Sequence, residues 1–95
     1  MNRIDQARQF ISALDRQISR KSQMKDGINH DFDNFRLIAY IAEELGEASS
    51  DLVRERYYGV VAECVDIAHS ALLLAINIDS NGSIIDNLFK DSSNG

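Results

Sequence analysis

A chain of 95 residues with 44% apolar and 26% charged side chains is one domain with enough greasy surface to fold. Its net charge of −5 excludes the dominant basic face of a nucleic-acid binder. One cysteine, Cys64, excludes an intrachain disulfide and reads as a buried structural thiol, while the absence of proline favours long unbroken helices.

The opening MNRIDQARQF lacks the apolar core of a signal peptide, so a soluble cytoplasmic protein is expected. From Arg3 to about Met24, Ile4, Ala7, Ile11, Leu14 and Ile18 recur at three- and four-residue steps, the mark of an amphipathic helix. Continuing that stripe by seven residues reaches Lys21 and Lys25, so the inward face turns basic at its carboxyl end. These two cations are candidate phosphate-binding residues. Lys25–Asp33 reads as a loop, because Gly27, Asn29 and several Asp residues break the pattern, and Asp31 or Asp33 can cap the next helix.

A second helix begins near Phe35 and carries a broad apolar arc that includes Leu37, Ile38, Ile41, Leu45 and Ala48. Tyr40, Glu44, Glu47 and Asp51 share an opposite strip roughly 60° wide, with Glu44 at its seam with the apolar arc. The third helix, Gly59–Ile78, is apolar almost all round and should be buried on most sides. Its polar residues Glu63, Asp66, Ser70 and Asn77 fall with Gly59 inside an arc of roughly 60°, and His69 lies off it. The most apolar window, Ile67–Ile76, is too short and too interrupted upstream to cross a bilayer, and no membrane partner is expected.

In an antiparallel hairpin, facing residues are equidistant from the turn. Setting Glu44 and Glu47 opposite Glu63 and Asp66 places the turn near residue 55, inside the charged stretch Asp51–Arg56. After Ile78, DSNGS breaks the chain, and SIIDNLFK forms a short last helix, with 91–95 a disordered tail. The predicted fold is an all-α antiparallel bundle of three main helices plus a short C-terminal one, a single domain over 1–95. Its apolar surface exceeds what so short a chain can cover, so a homodimer or dimer of dimers should complete it.

Two acidic pairs on facing helices are what a hard divalent cation requires. Oxygen ligands suit Mg²⁺ or Mn²⁺, and a cation relieves the repulsion of carboxylates flanked by apolar walls. Glu43-Glu44-Leu45-Gly46-Glu47, separated by fifteen residues from Glu63-Cys64-Val65-Asp66, resembles the EExxE…ExxD signature of MazG-like proteins. These are all-α nucleoside triphosphate pyrophosphohydrolases, and the resemblance extends from Phe35 to about Phe89.

The resemblance implies Mg²⁺-dependent hydrolysis of a nucleoside triphosphate to the monophosphate and pyrophosphate, in the service of nucleotide-pool house-cleaning. It assigns Glu44, Glu47, Glu63 and Asp66 as metal ligands, and Glu43 as a residue that either supports those ligands from behind or helps to orient the attacking water. The chain departs from the family at Tyr40, where many members have lysine, and in having no tryptophan for a base pocket. Lys21 and Lys25 are candidates for the missing positive charge, and Asn77 for a sugar or phosphate contact. A helical interaction module without catalytic activity is the alternative reading.

Overall fold

The computed structural model describes residues 1–22 and 33–94. The fold is all-α, with α1 at Arg3–Ser22, α2 at Asn34–Val53, α3 at Tyr57–Ile78 and α4 at Ser83–Asn94. Short polar side chains start the first two helices by taking up amide donors that the first turn leaves unpaired. Asn2 Oδ1 accepts from the Asp5 amide at 2.9 Å, and Asp33 Oδ1 accepts from the Arg36 amide at 2.8 Å. Of the two expected caps, Asp33 is the one that caps α2, and Asp31 lies outside the described residues.

The turn between α2 and α3 falls where the two acidic pairs require it. The Arg56 amide donates to the Asp51 carbonyl at 2.8 Å and the Glu55 amide to the Leu52 carbonyl at 3.1 Å. Between these bonds Glu55 takes a φ of 60°, the left-handed residue of a Schellman ending, at a position glycine usually fills. α2 and α3 then run antiparallel along their length, and α1 lies against α3. No other pair of helices approaches closely among the described residues.

The core of this hairpin is small. Leu37, Ala48 and Leu73 are its buried apolar side chains, and His69, 4% exposed, is buried beside them. The inner stripe of α1 is satisfied only in its second half. Ala13, Leu14, Gln17 and Ile18 are half-buried, whereas Ile4, Ala7 and Ile11 are exposed.

α3 is far less covered than its composition implies. Val61, Ile76 and Ile78 are exposed, and so is Cys64, which the sequence reading takes as buried. The reason is geometric: one chain supplies α3 with two neighbours, and two helices cannot surround a third. Taken whole, Tyr57–Ile78 is long and apolar enough by length and composition to cross a membrane, although the shorter window Ile67–Ile76 is not.

α4 is set by a capped corner. Asp79 accepts from the amides of Ile84 at 2.9 Å and Ile85 at 3.0 Å, and Gly82 adopts a φ of 77° that favours a residue without a Cβ. The helix runs on to Asn94, beyond Lys90, where the sequence reading ends it. Its apolar residues Ile85, Leu88 and Phe89 are exposed.

Candidate functional site

The antiparallel hairpin lays the acidic strip of α2 along the polar strip of α3. Glu63 is where the two meet. Its carboxyl is pushed above the usual value of 4.5, first by partial burial and then by the charge of Asp51 and a carboxyl–carboxyl hydrogen bond with it. The charges of Glu47 and Glu44 add to the effect in that order. Glu63 Oε2 is enclosed and has no hydrogen-bond partner among the described residues. Like charges have been brought together around a carboxyl one of whose oxygens finds no donor among the described residues.

Asp51 is a member of this group that the motif spacing does not include. Its side chain is 19% exposed and lies over Gly59, so close that a Cβ there would run into its Oδ2. Arg56 Nη1 is 3.8 Å from Asp51 Oδ1, a long ion pair from a well-exposed guanidinium that leaves the carboxylate largely uncompensated. The glycine thus opens the space through which Asp51 reaches Glu63, one turn further along α3. Two features of the sequence point to this: Asp51 is four residues after Glu47, and Gly59 is four before Glu63.

Asp66 takes another direction. Three residues beyond Glu63, it is rotated by roughly 60° about α3, enough to turn it toward α1. There Gln17 Nε2 donates to Asp66 Oδ1 at 3.3 Å, and the same nitrogen lies 3.1 Å from Nδ1 of the buried His69. The charges that raise Glu63 come from α2, not from Asp66. The structure therefore gathers Glu44, Glu47, Asp51 and Glu63 across one groove and sets Asp66 at its α1 side.

Beside Asp66 opens a cleft of about 350 Å³ between α1 and α3. Arg16, Gln17 and Arg20 line it from α1, and Ala62, Val65 and Asp66 from α3.

The remaining candidates lie apart. Glu43 is exposed on α2, next to Glu44. Asn77 sits roughly 21 Å along the axis from Glu63, where its Nδ2 donates to Asn34 Oδ1 at 3.2 Å. It belongs to the seam at the start of α2, not to the groove. Lys25 lies outside the described residues, as does the side chain of Lys21 at the end of α1.

The donor chemistry of the groove fits a hard cation: four carboxylates, one with an enclosed oxygen lacking a donor. As the side chains stand, no three Asp, Glu, His or Cys residues among those described converge closely enough to hold a metal ion. Comparison of the chain with protein-family models, with curated proteins and with solved structures finds no match.

Proposed function

We propose that the chain is a Mg²⁺-dependent nucleoside triphosphate pyrophosphohydrolase of the MazG-like kind, acting in the cytoplasm as a homo-oligomer. The observation that carries this reading is Glu63, whose carboxyl feels the charges of Asp51, Glu47 and Glu44 from the opposite helix while its enclosed Oε2 has no hydrogen-bond partner among the described residues. A protein that only packs helices gains nothing from that arrangement, whereas a cation site needs it.

Glu44, Glu47 and Glu63 would hold the metal, Mg²⁺ or Mn²⁺, with Asp51 as the fourth carboxylate of the groove and Asp66 reaching it from the α1 side only by leaving Gln17. When bound, the cation neutralises phosphate charge and lowers the pKa of a water. Glu43, beside Glu44 and open to solvent, would accept a proton as water attacks the α-phosphorus. The new bond is water oxygen to α-phosphorus, the broken one joins that phosphorus to the β-phosphate oxygen, and pyrophosphate leaves.

Self-association is supported by exposed surface. The chain presents 7638 Å² to solvent, against roughly 5,500 Å² for a compact monomer of its mass. A second copy laid on α3 and α4 would cover what one chain leaves open.

The same open apolar surface favours the second reading, a helical interaction module. Pyrophosphate release from a panel of nucleoside triphosphates, with Mg²⁺, with Mn²⁺ and with EDTA, separates the two. Metal-dependent release that is lost in Glu47→Gln and Glu63→Gln is the expected result. No release from any nucleotide refutes the enzyme.

A further inference from the structure

The geometry points to the cleft between α1 and α3 as the seat of the substrate's phosphate chain, gripped by Arg16 and Arg20; this deepens the nucleotide reading and rests on it. The two arginines are four residues apart, so their side chains rise from the same side of α1 one turn from each other. Both line the cleft, and neither forms an ion pair with a carboxylate among the described residues. A guanidinium fork matches phosphate oxygens two at a time, and two forks a turn apart match a chain of phosphates better than a single one. The volume, about 350 Å³, is at the lower end of what small-ligand pockets provide.

Charge distribution singles out this edge of the molecule. α1 carries Arg3, Arg8, Arg16, Arg20 and Lys21 against Asp5 and Asp15, in a chain whose net charge is −5. α3 carries Glu63 and Asp66 and no Lys or Arg, and α2 sets Glu43, Glu44, Glu47 and Asp51 against Arg36. The cleft is the boundary between a cationic helix and an anionic pair. Within it, two guanidiniums outweigh the one carboxylate, Asp66.

Position is set as well. Gln17 stands beside Arg16 and three residues before Arg20, and its amide is anchored to Asp66 and to the buried His69. That anchor fixes the rotation of α1 against α3 and keeps both arginines at the mouth of the cleft. Asp66 lines the cleft and lies three residues from Glu63 on α3, so the cleft is about one helical turn from the acidic groove.

The test is calorimetric titration of the full chain with inorganic pyrophosphate in EDTA, which needs neither metal nor turnover. Arg16→Ala/Arg20→Ala should weaken binding at least tenfold, and Arg16→Gln/Arg20→Gln, which keeps most of each stem, should do the same. The matched variant Arg3→Ala/Arg8→Ala removes equal charge from α1 outside the cleft and should change binding less than about threefold, an effect of the long-range field alone. Equal losses in the two pairs, or no pyrophosphate binding by the wild type, overturn the inference.

A non-hydrolysable nucleoside triphosphate should lose as much affinity as pyrophosphate in the cleft variants. If the nucleotide weakens and pyrophosphate does not, the arginines contact base or sugar and the inference fails. Pyrophosphate binding that depends on Arg16 and Arg20, in a chain that hydrolyses no nucleotide, sinks the enzyme and leaves the anion site standing. Undiminished hydrolysis and binding in the double variants sink the site alone.

Discussion

Substituting alanine at two helical glycines measures how firmly Asp51 is held over α3. Alanine in a helix is favoured over glycine by about 0.5–1 kcal/mol. At Gly46 a new Cβ meets nothing within 4 Å, so Gly46→Ala should keep the whole gain. For a domain of this size that is a rise in Tm of up to about 4–8 °C. At Gly59 the Cβ runs into Asp51 Oδ2, with Asp51 Cγ 3.1 Å and Asp51 Cβ 3.7 Å away.

With Cγ that near, turning the carboxylate end is not enough, and χ1 must change. Asp51 then either strains its rotamer, at about 0.5–1.5 kcal/mol, or swings off and gives up the 3.8 Å contact with Arg56, worth about 0–1 kcal/mol. The terms nearly cancel, so Gly59→Ala should leave Tm close to wild type. In an Asp51→Ala background the obstacle is gone, and Gly59→Ala should recover its gain, a coupling of about 1 kcal/mol. Thermal melts of these single and double variants in EDTA at neutral pH are the assay. Equal rises in Tm for Gly46→Ala and Gly59→Ala would show that Asp51 does not occupy the space over Gly59, and the acidic groove would lose its fourth carboxylate.

Glu63→Gln tests the charge balance of the groove. Because the folded chain holds the Glu63 proton above 4.5, its contribution to stability is present below the usual carboxylate range and lost as pH rises through the raised value. Relative to Glu63→Gln, wild type should therefore gain stability in EDTA as pH falls from neutral toward the usual carboxylate range, and a pH-independent difference would refute the crowding. Saturating Mg²⁺, near 100 times its Kd, should raise wild-type stability by about 2.7 kcal/mol, and Glu63→Gln should respond far less. Asn77→Ala removes a hydrogen bond to Asn34 and should cost up to about 1 kcal/mol with KM and kcat unchanged; a raised KM would return Asn77 to the substrate site. Sedimentation at micromolar concentration should give a dimer or larger, and a well-folded monomer would remove the argument from exposed surface.

The hairpin is readable in the sequence because two constraints coincide in it. Acidic pairs that must face each other set the turn near residue 55, and the charged stretch around Glu55 has no apolar stripe to carry a helix through. What sequence periodicity cannot supply is which neighbour fills each arc of α3. Glu63 and Asp66 share one polar strip on a helical wheel, yet α2 claims the first and Gln17 of α1 the second. Cys64 fails for the related reason that an apolar circumference states a need for burial, which a single chain does not meet. Arg16 and Arg20 escape a pattern built on apolar positions, because they are charges on the flank of that stripe. Their four-residue spacing is the signal that marks them.

The corner built by Asp79 and Gly82 has a further consequence for how stability is distributed along the chain. α4 touches none of the other helices among the described residues, so its hydrogen bonds are supported by that corner and by its own turns. Opening α4 in the isolated chain disturbs nothing in the α2–α3 hairpin. Its amides should exchange with deuterium through a local event, well ahead of Leu37, Ala48 and Leu73, whose release requires the hairpin to part. An exchange profile would therefore divide one polypeptide into two energetic units with their border at Asp79, and association that covers α4 would be read directly as the disappearance of that border.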